Sequence, residues 1–353
     1  MSSLLIALRL SLSNSKSVIR ALSNLSQPQS ESKKNIGKVV NVAIIGAPNA
    51  GKSTLINKIL GRKICASSNK VHTTTKLTRA ICYDKNTQII FLDTPGIVTD
   101  KEQKKYKLPE SMLAACQKSL RCADVIGVVH DVSNKWTKDD LHRDAVNMLL
   151  MVKDIPSFLI INKVDMLKSK KQLLTIIRSL TNGMIAGSPI PGAKKKKDKN
   201  IQERGYSYFS DVFLVSALNG DGVTDIKEYL INNAKIRNLH YDPSEWSDQS
   251  PEVLIEEAVR AKFLDFLHQE IPYNLTTRLE YYDENQTEDR IICSVSVECP
   301  SERIARLISG AGGGRLQQIK SHVRNDLMDM FNKAVTIDIS MKVKSKPTSQ
   351  DSL

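Results

Sequence analysis

A strand, a glycine-rich loop and a helix follow one another in the segment NVAIIGAPNAGKSTLINKIL, residues 41–60. The segment begins with a short apolar run, and after Lys52 its apolar residues recur at helical spacing. The loop between them has the pattern Gly-x4-Gly-Lys-Ser, from Gly46 to Ser53. Glycines allow backbone N–H groups to converge on phosphate oxygens at the positive end of a helix dipole. The segment therefore predicts a phosphate-binding loop in an α/β fold.

Three further apolar runs each lead into a short polar motif. The run TQIIFLDTPGI contains Asp-Thr-Pro-Gly at 93–96, and SFLIINKVD ends in Asn-Lys-Val-Asp at 162–165. The third run, DVFLVSALNGDG, contains Ser-Ala at 216–217. Ligands of open α/β sheets bind at the carboxyl ends of the strands, so these motifs should surround one ligand. We therefore expect a doubly wound sheet with the ligand along one edge.

Each motif supplies a group that a guanine nucleotide requires. Lys52 reaches the β and γ phosphates, while the Ser53 hydroxyl and the Asp93 carboxylate hold Mg²⁺. Asp165 accepts hydrogen bonds from the N1–H and the amino group of guanine, a donor pair that adenine lacks. The Ala217 N–H can donate to guanine O6. Four motifs in this order predict a GTPase.

The chain resembles the Era family of GTPases in these motifs. The phosphate-binding loop reads Gly-Ala-Pro-Asn-Ala-Gly-Lys-Ser-Thr at 46–54, KVHTTTKLTR follows at 70–79, and Asp-Thr-Pro-Gly lies at 93–96. The resemblance covers residues 38–346 and implies GTP hydrolysis with GTP/GDP and Mg²⁺ bound. The candidate GTP-binding residues are Gly46, Ala47, Pro48, Asn49, Ala50, Gly51, Lys52, Ser53, Thr54, Asp93, Thr94, Pro95, Gly96, Ile97, Asn162, Lys163, Val164, Asp165, Ser216 and Ala217.

Three positions bear on the hydrolysis step that this resemblance implies. In the family a threonine closes on Mg²⁺ when GTP is bound; the run 73–75 leaves its register open, and we favour Thr74. Ile97 stands where Ras-like enzymes carry a glutamine that orients the attacking water, so hydrolysis must use other means. Asn49 resembles the asparagine with which related GTPases hold K⁺, although a simple turn residue is the alternative. The candidate catalytic residues are Lys52, Thr74 and Asn49, and the candidate metal ligands are Ser53, Thr74 and Asp93.

Residues 253–346 have the element order of a second, α+β domain. An amphipathic helix in PEVLIEEAVRAKFLDFLHQE precedes the strand pair LTTRLEYYDE and RIICSVSVEC. The helix SERIARLIS begins with Ser301, a favourable N-cap, and is followed by the helix RLQQIKSHVRNDLMDMF and the alternating strand AVTIDISMKV. This is the order of a type II KH domain, as found in the Era family.

A glycine cluster at 310–313 lies between the last two of these helices. It has the Gly-x-x-Gly pattern with which KH domains clamp four nucleotides of single-stranded RNA. A flexible hinge is the alternative, but a hinge does not require a following amphipathic helix. The loop lacks the cation that the family usually carries, so we expect affinity to depend more on Arg315. The candidate RNA-binding residues are Gly310, Ala311, Gly312, Gly313, Arg315 and Lys320.

Positive charge is concentrated in three parts of the chain. The 51 Lys and Arg residues exceed the 38 Asp and Glu residues, for a net charge of +13, which suggests an anionic partner. Residues 1–36 carry five basic groups and one acidic group and are rich in Ser and Leu, as in a mitochondrial transit peptide; a disordered tail is the alternative. The six cysteines form no Cys-x-x-Cys pair, which agrees with a reducing matrix.

Between the nucleotide motifs lies a basic insertion, predicted at 186–205 as a loop without fixed structure. Its run KKKKDKNIQER has six basic and two acidic residues. This run could touch ribosomal RNA, but a solvated tract is the favoured interpretation. The GTPase domain is predicted at 38–240 and the linker to the KH domain at 241–252.

The predicted architecture is a P-loop GTPase with a doubly wound α/β sheet, followed by an α+β type II KH domain. The resemblance implies a GTP-driven RNA chaperone of the small mitochondrial ribosomal subunit that binds single-stranded ribosomal RNA near its 3′ end. No apolar run approaches the ~18 residues of a membrane span. We therefore expect the protein in the mitochondrial matrix, with peripheral association with the inner membrane as a further option. The alternative is a constitutive RNA-binding scaffold in which GTP is structural. A tRNA-modifying GTPase is disfavoured because no catalytic cysteine or oxidoreductase motif is present.

Overall fold

The computed structural model describes residues 36–66, 78–93, 120–191, 205–268, 270–285 and 287–344. Within these residues the chain forms two units, each with its own sheet and hydrophobic core. The predicted transit peptide, apart from Ile36, and the threonines at 73–75 lie outside the described residues. None of the helices that the structure describes has both the length and the apolarity to cross a membrane.

The first unit is built on a seven-stranded mixed sheet with the strand order β2-β3-β1-β4-β5-β8, and β9 pairs with the first half of β1. Strands β2 and β9 run antiparallel to their neighbours, and the other pairs are parallel. The strands of this unit are β1 (Ile36–Gly46), β2 (Thr78–Asp84), β3 (Thr87–Asp93), β4 (Val125–Asp131), β5 (Ser157–Asn162), the short β6 (Met184–Ile185) and β7 (Ser188–Pro189), β8 (Phe209–Val215) and β9 (Lys235–Asn238).

Helices cover both faces of this sheet. They are α1 (Lys52–Leu60), α2 (Arg143–Met151), α3 (Leu173–Leu180) and α4 (Val223–Asn232). Alternate residues of β1 face opposite layers: Ala43 and Ile45 pack in the core with α2 and α3, whereas Val42 and Ile44 pack in the core with α1 and α4. The doubly wound architecture predicted from the sequence is confirmed.

The strand ends that carry the motifs meet at one edge of the sheet. The register places Asp93 beside Ile44, two residues before the end of β1. Asn162 at the end of β5 is level with Asp131 on one side and with Val215 on the other. The phosphate-binding loop and the segments that follow β5 and β8 therefore leave the sheet at the same edge, where β3 also ends in Asp93.

The second unit has the order helix, two strands, two helices and a strand. Strand β11 pairs antiparallel with β10 and parallel with β12, and the three helices pack on the resulting sheet to form a third core. The elements are α5 (Pro251–Phe266), β10 (Thr276–Asn285), β11 (Arg290–Cys299), α6 (Glu302–Ser309), α7 (Gly314–Phe331) and β12 (Ala334–Val343). The Ser301 hydroxyl caps α6 by accepting a hydrogen bond from the Ile304 N–H at 3.4 Å. This is the predicted KH order.

The basic insertion is ordered where the structure describes it, which corrects the prediction for its first residues. Strands β6 and β7 form a hairpin, and the Ala186 N–H donates to the Phe209 carbonyl at 2.8 Å. At the other end Gly205 is pressed against α3, because a Cβ there would lie 2.3 Å from the Leu180 carbonyl oxygen. Backbone contacts with Phe209 and Leu180 fix the two ends of the insertion, and composition does not reveal such contacts. Residues 192–204 lie outside the described residues.

The predicted linker is also more structured than expected. Helix α5 begins at Pro251, so the last two linker residues belong to the KH unit. Ser247 forms an antiparallel bridge with Ala80 of β2, and the Ile81 N–H donates to the Trp246 carbonyl at 2.9 Å. The open edge of β2 supplies these hydrogen bonds, and the linker thereby extends the first sheet.

The KH core gives a test of this packing. Leu327 on α7 is fully buried, and Leu327→Ala should lower the free energy of unfolding of the KH unit by about 2–5 kcal/mol, because it removes buried methyl groups and leaves a cavity. Urea denaturation followed by circular dichroism would measure the change. The exposed Gln317 on the same helix provides the control, because Gln317→Ala should change stability by less than about 0.5 kcal/mol. Equal effects of the two substitutions would contradict the assigned core.

Candidate functional site

The loop between β1 and α1 requires glycine at both glycine positions of its Gly-x4-Gly-Lys-Ser pattern. Gly46 has a φ of 153°, and a Cβ on it would lie 2.3 Å from the Val129 carbonyl oxygen. Gly51 has a φ of 95°, and its Cβ would lie 2.2 Å from the Asn162 Nδ2. These contacts hold the loop against β4 and β5, and its N–H groups and the start of α1 form an anion-binding site.

Lys52 is held at this site by the loop itself. Its side chain is buried, and its Nζ lies 3.1 Å from the Gly46 carbonyl oxygen and 3.0 Å from the Ala47 carbonyl oxygen. The ammonium group is therefore folded back over the loop that should receive the phosphates. Its position is that of a cation that neutralises phosphate charge.

Ser53 and Asp93 form an oxygen donor pair beside the loop. The Ser53 hydroxyl donates to Asp93 Oδ2 at 3.1 Å, and Asp93 is almost completely buried. A hydroxyl and a carboxylate next to a phosphate site are ligands that Mg²⁺ prefers, and Mg²⁺ usually completes its shell with phosphate and water. These two residues fit a magnesium ion, which would neutralise charge on the β and γ phosphates.

Cys65 lies near the same carboxylate, and nothing in the sequence pattern singled it out. Burial, followed by the negative charge of Asp93, raises the pKa of the Cys65 thiol. Because the two residues are 28 positions apart in the sequence, only the fold reveals that they are close.

Asn162 connects two of the loops. Its Nδ2 donates to the Ala50 carbonyl at 2.8 Å, and its Oδ1 accepts from the Ala217 N–H at 3.0 Å. The Ala217 N–H was expected to face guanine O6, whereas in this structure it donates to Asn162. The adjacent Ser216 is buried, and its hydroxyl accepts from the Asn219 N–H at 3.3 Å.

Lys163 and Asp165 complete this part of the site. Lys163 has a φ of 64° and its Nζ reaches the Asn49 carbonyl oxygen at 2.8 Å and Asp131 Oδ2 at 2.6 Å. Sequence reasoning missed Asp131, whose only signal was its place at the end of the apolar run VIGVVHD. Asp165 lies in the short 3₁₀ turn Val164–Met166 and is exposed, so its carboxylate is accessible to the base of a nucleotide.

Most of the predicted nucleotide-binding residues are thus brought together at one edge of the sheet, and most of the others lie outside the residues that the structure describes. Thr54 follows Ser53 on α1 and lines a cavity of about 570 Å³ between the two units. The predicted residues that lie outside the described ones are Thr74, Thr94, Pro95, Gly96 and Ile97.

The second candidate site is the glycine loop between α6 and α7. Gly310, Gly312 and Gly313 have φ values of 76°, 58° and 76°, in the left-handed region that glycine tolerates best. A Cβ on Gly312 or Gly313 would meet no atom within 4 Å, so packing does not exclude a side chain there. The loop presents its backbone to the outside, directly before the N-terminus of α7.

One arginine lies beside this loop, and the predicted lysine is engaged elsewhere. The exposed Arg315 donates from Nη1 to the Leu307 carbonyl at 3.1 Å. Lys320 Nζ lies 2.7 Å from Asp338 Oδ1, so a carboxylate of β12 already compensates its charge.

Comparison with known proteins agrees with both units. A family model described as a 50S ribosome-binding GTPase matches residues 41–163. The mitochondrial GTPase Era of Danio rerio is 35% identical over 340 residues, which cover 87% of this chain and 76% of the relative. The GTPase Era of Afipia carboxidovorans is 32% identical over 304 residues, which cover 86% of this chain and 88% of the relative.

A solved structure extends this similarity to three dimensions. The crystal structure of Era in complex with MgGDPNP and nucleotides 1506–1542 of 16S ribosomal RNA aligns with a TM-score of 0.70 at 26% identity. The alignment covers 88% of this chain and 95% of that chain, so it includes the glycine-loop unit as well as the nucleotide unit. With the identity of its full-length relatives and the geometry of its nucleotide site, the chain belongs to the Era family and is a GTPase.

Proposed function

We propose that this GTPase is a mitochondrial RNA chaperone that binds small-subunit ribosomal RNA near its 3′ end and assists assembly of the small ribosomal subunit. The observation that carries the proposal is one chain with a guanine-nucleotide site and an outward-facing KH glycine loop. The Era structure solved with MgGDPNP and a 16S ribosomal RNA segment has a similar fold across both units, which supports this combination. The mitochondrial Era proteins of two fish among its relatives support the location.

The glycine loop supports RNA binding through its exposed backbone. Gly314 also has open space around it and no left-handed φ, so the protein itself does not require glycine there. Close approach of an external group is a physical reason for a bare backbone at such a position. The N-terminus of α7 and the adjacent Arg315 would then favour the phosphates of single-stranded RNA.

Each polar residue of the nucleotide site has a distinct role in this proposal. Lys52 would bind the β and γ phosphates, Ser53 and Asp93 would hold Mg²⁺, and Asp165 would read guanine. We assign Thr74 to the magnesium shell and Asn49 to a potassium ion on the basis of the family resemblance. The matrix, with peripheral contact to the inner membrane, is the proposed location.

The assignment to the ribosome is best tested in mitochondria. Crosslinking of the protein to RNA, followed by sequencing of the recovered fragments, should yield small-subunit ribosomal RNA near its 3′ end. Recovery of mainly messenger or transfer RNA would contradict the ribosomal assignment. Single-turnover hydrolysis with and without that RNA separates a GTP-driven chaperone from the alternative scaffold, because a scaffold predicts equal rates.

Asp165→Asn tests the guanine contact. The substitution exchanges two acceptor oxygens for one acceptor and one donor, so GTP should bind at least about 100-fold more weakly, since unpaired groups in such sites cost up to 10⁴–10⁵-fold. Xanthine nucleotides should bind better, because their C2 carbonyl accepts from the new amide. Equilibrium binding of labelled GDP and xanthosine diphosphate would measure both. Unchanged GDP affinity would contradict the base-reading role.

Gly312→Asp tests the RNA site. A carboxylate would face the incoming phosphates and a side chain would occupy the open space, so RNA affinity should fall at least about tenfold, or 1.4 kcal/mol. Gly187→Asp is the matched control, because Gly187 has a φ of 74° and no neighbour within 4 Å of its Cβ. Filter binding or fluorescence anisotropy with a single-stranded RNA would measure the affinities. The assignment fails if the two variants bind RNA equally well.

The proposed potassium site makes a separate prediction. GTP hydrolysis should be several-fold faster in potassium than in sodium at equal ionic strength, because a bound cation would stabilise charge that develops on the phosphates. Asn49→Ala should remove the difference and leave the rate in sodium nearly unchanged. Initial rates of phosphate release in the two salts would measure it, and equal rates for the original protein would exclude this role of Asn49.

A further inference from the structure

Two segments that follow neighbouring strands lie side by side at the carboxyl edge of the first sheet. Residues 134–140 follow β4, and residues 168–172 follow β5, which pairs in parallel with β4. Lys138 Nζ donates to Gln172 Oε1 at 3.1 Å, so the two segments are in direct contact. Residues that are about 30 positions apart in the sequence therefore share one surface of the GTPase unit.

Hydrogen bonds fix the first segment to the elements beneath it. The Ser179 hydroxyl of α3 donates to the Asp139 carbonyl at 2.7 Å. His130 at the end of β4 is buried, and its Nε2 lies 3.0 Å from the Lys138 carbonyl oxygen. The backbone of this segment is thus held by the sheet and by a helix, which leaves its side chains to face outwards.

Trp136 is the most unusual of these side chains. It is 92% exposed, and among the described residues no other large apolar side chain is as exposed. Its N–H donates to Asn134 Oδ1 at 3.0 Å, which closes a tight turn. Trp136 also lines a cavity of about 360 Å³ together with Ala47 and Pro48 of the phosphate-binding loop, a volume typical of small-ligand sites. The indole ring therefore stands beside a recess that could receive a flat group.

Positive charge surrounds this ring. The two segments contain five lysines and two aspartates, which give a net charge of +3. In the described part of the chain none of the five lysines forms an ion pair, whereas the nearby Asp131 is already paired with Lys163 at 2.6 Å. We call the following residues the lysine–tryptophan surface: Lys135, Trp136, Lys138, Lys168, Lys170 and Lys171.

We propose that the lysine–tryptophan surface is a second contact site for single-stranded RNA, on the GTPase unit and separate from the glycine loop. A base stacks on Trp136, and the lysines bind the phosphates on either side of it. Proteins that bind single strands combine a basic surface with aromatic rings in this way, because every base has a flat face and every nucleotide a negative charge.

The composition of the surface favours RNA over other anionic partners. An acidic protein would pair with the lysines but has no need of an exposed ring. A membrane surface takes up several apolar side chains, and Trp136 is the only large apolar residue of the two segments. A stacked nucleotide uses both features that are present. The inference does not depend on whether the glycine loop binds RNA.

The first measurement is the tryptophan fluorescence of the full-length protein, saturated with GDP and titrated with polyuridylate. The chain has two tryptophans, and Trp246 is partly buried between the units. Polyuridylate should quench the original protein and Trp246→Phe, because a base stacked on the indole of Trp136 quenches its emission. The emission of Trp136→Phe should stay unchanged. Quenching that persists in Trp136→Phe would overturn the proposal, as would quenching of Trp136 by anionic phospholipid vesicles but not by polyuridylate.

The second measurement is the affinity for labelled polyuridylate, determined by fluorescence anisotropy. All variants carry Gly312→Asp, so that the glycine loop contributes little, and Gly312→Asp alone tests that loop separately. Adding Trp136→Ala should weaken binding at least about fivefold, the lower end of the loss when a stacking ring is removed. Trp136→Phe should retain most of the affinity, because it keeps an aromatic face.

Tyr208→Ala is the matched control for the loss of an exposed ring. Tyr208 is 67% exposed, and Lys153 Nζ lies 5.9 Å from its ring centre, but it precedes β8 and so lies at the opposite edge of the sheet. Equal melting temperatures would verify that the variants are folded. Equal RNA affinities of the Trp136→Ala and Tyr208→Ala variants would overturn the proposal.

The third measurement is the salt dependence of this affinity. Combined Lys168→Gln, Lys170→Gln and Lys171→Gln should make the slope of log K against log salt less steep by up to about 2, because each phosphate contact of a single strand contributes about 0.7. The corresponding three arginine substitutions keep the charge and should keep the slope. An unchanged slope in the glutamine variant would contradict phosphate binding by this surface.

Discussion

The burial of β1 between two helical layers is the constraint on which the nucleotide site depends. The strand pairs in parallel with β3 and β4, and its residues from Val42 to Gly46 are buried on both faces. A shift of register would move apolar side chains to the wrong layer and break hydrogen bonds on both edges. The strand therefore ends at a defined point, where the Val129 carbonyl leaves no room for a Cβ on Gly46. From this point the loop can proceed only across the carboxyl edge of the sheet, towards Asp93 and Asn162.

The two candidate sites differ in how far neighbouring side chains hold the loop that should bind the ligand. At the nucleotide site, Asn162 and Lys163 bind backbone carbonyls of the phosphate-binding loop, so the protein positions the loop before a ligand arrives. At the glycine loop, a Cβ on Gly312 or Gly313 would meet no atom within 4 Å, so this part of the backbone is open to the outside. A compact nucleotide benefits from a preorganised pocket, because less ordering is left to the binding step. An RNA strand is long and meets a protein at its surface, and an accessible loop with Arg315 beside it would suit such a partner.

The junction between the units lies next to the nucleotide site. Trp246 is partly buried and packs against a core of each unit. The adjoining linker residues extend the sheet at β2, the strand that follows the threonines at 73–75. Lys63, which follows α1, contacts the KH unit through Asp326 at 2.7 Å. The KH unit and the linker therefore touch the first unit on both sides of residues 67–77, which contain the predicted threonines.

The sequence by itself determined the local features: the helix and strand periods, the glycine positions, the Ser301 cap and the order of motifs along the chain. Each of these depends on neighbouring residues, and the KH elements follow one another in the predicted order. It also predicted Lys52, Ser53, Asp93 and Asn162, which the structure brings to one edge of the sheet, because their motifs are contiguous. Contacts between distant segments were decided only by the tertiary structure: Asp131 with Lys163, the ion pair that occupies Lys320, and the pairing that orders the start of the basic insertion. These contacts depend on how strands are ordered and how two units pack, and no local pattern encodes the distance between residues that the fold brings together.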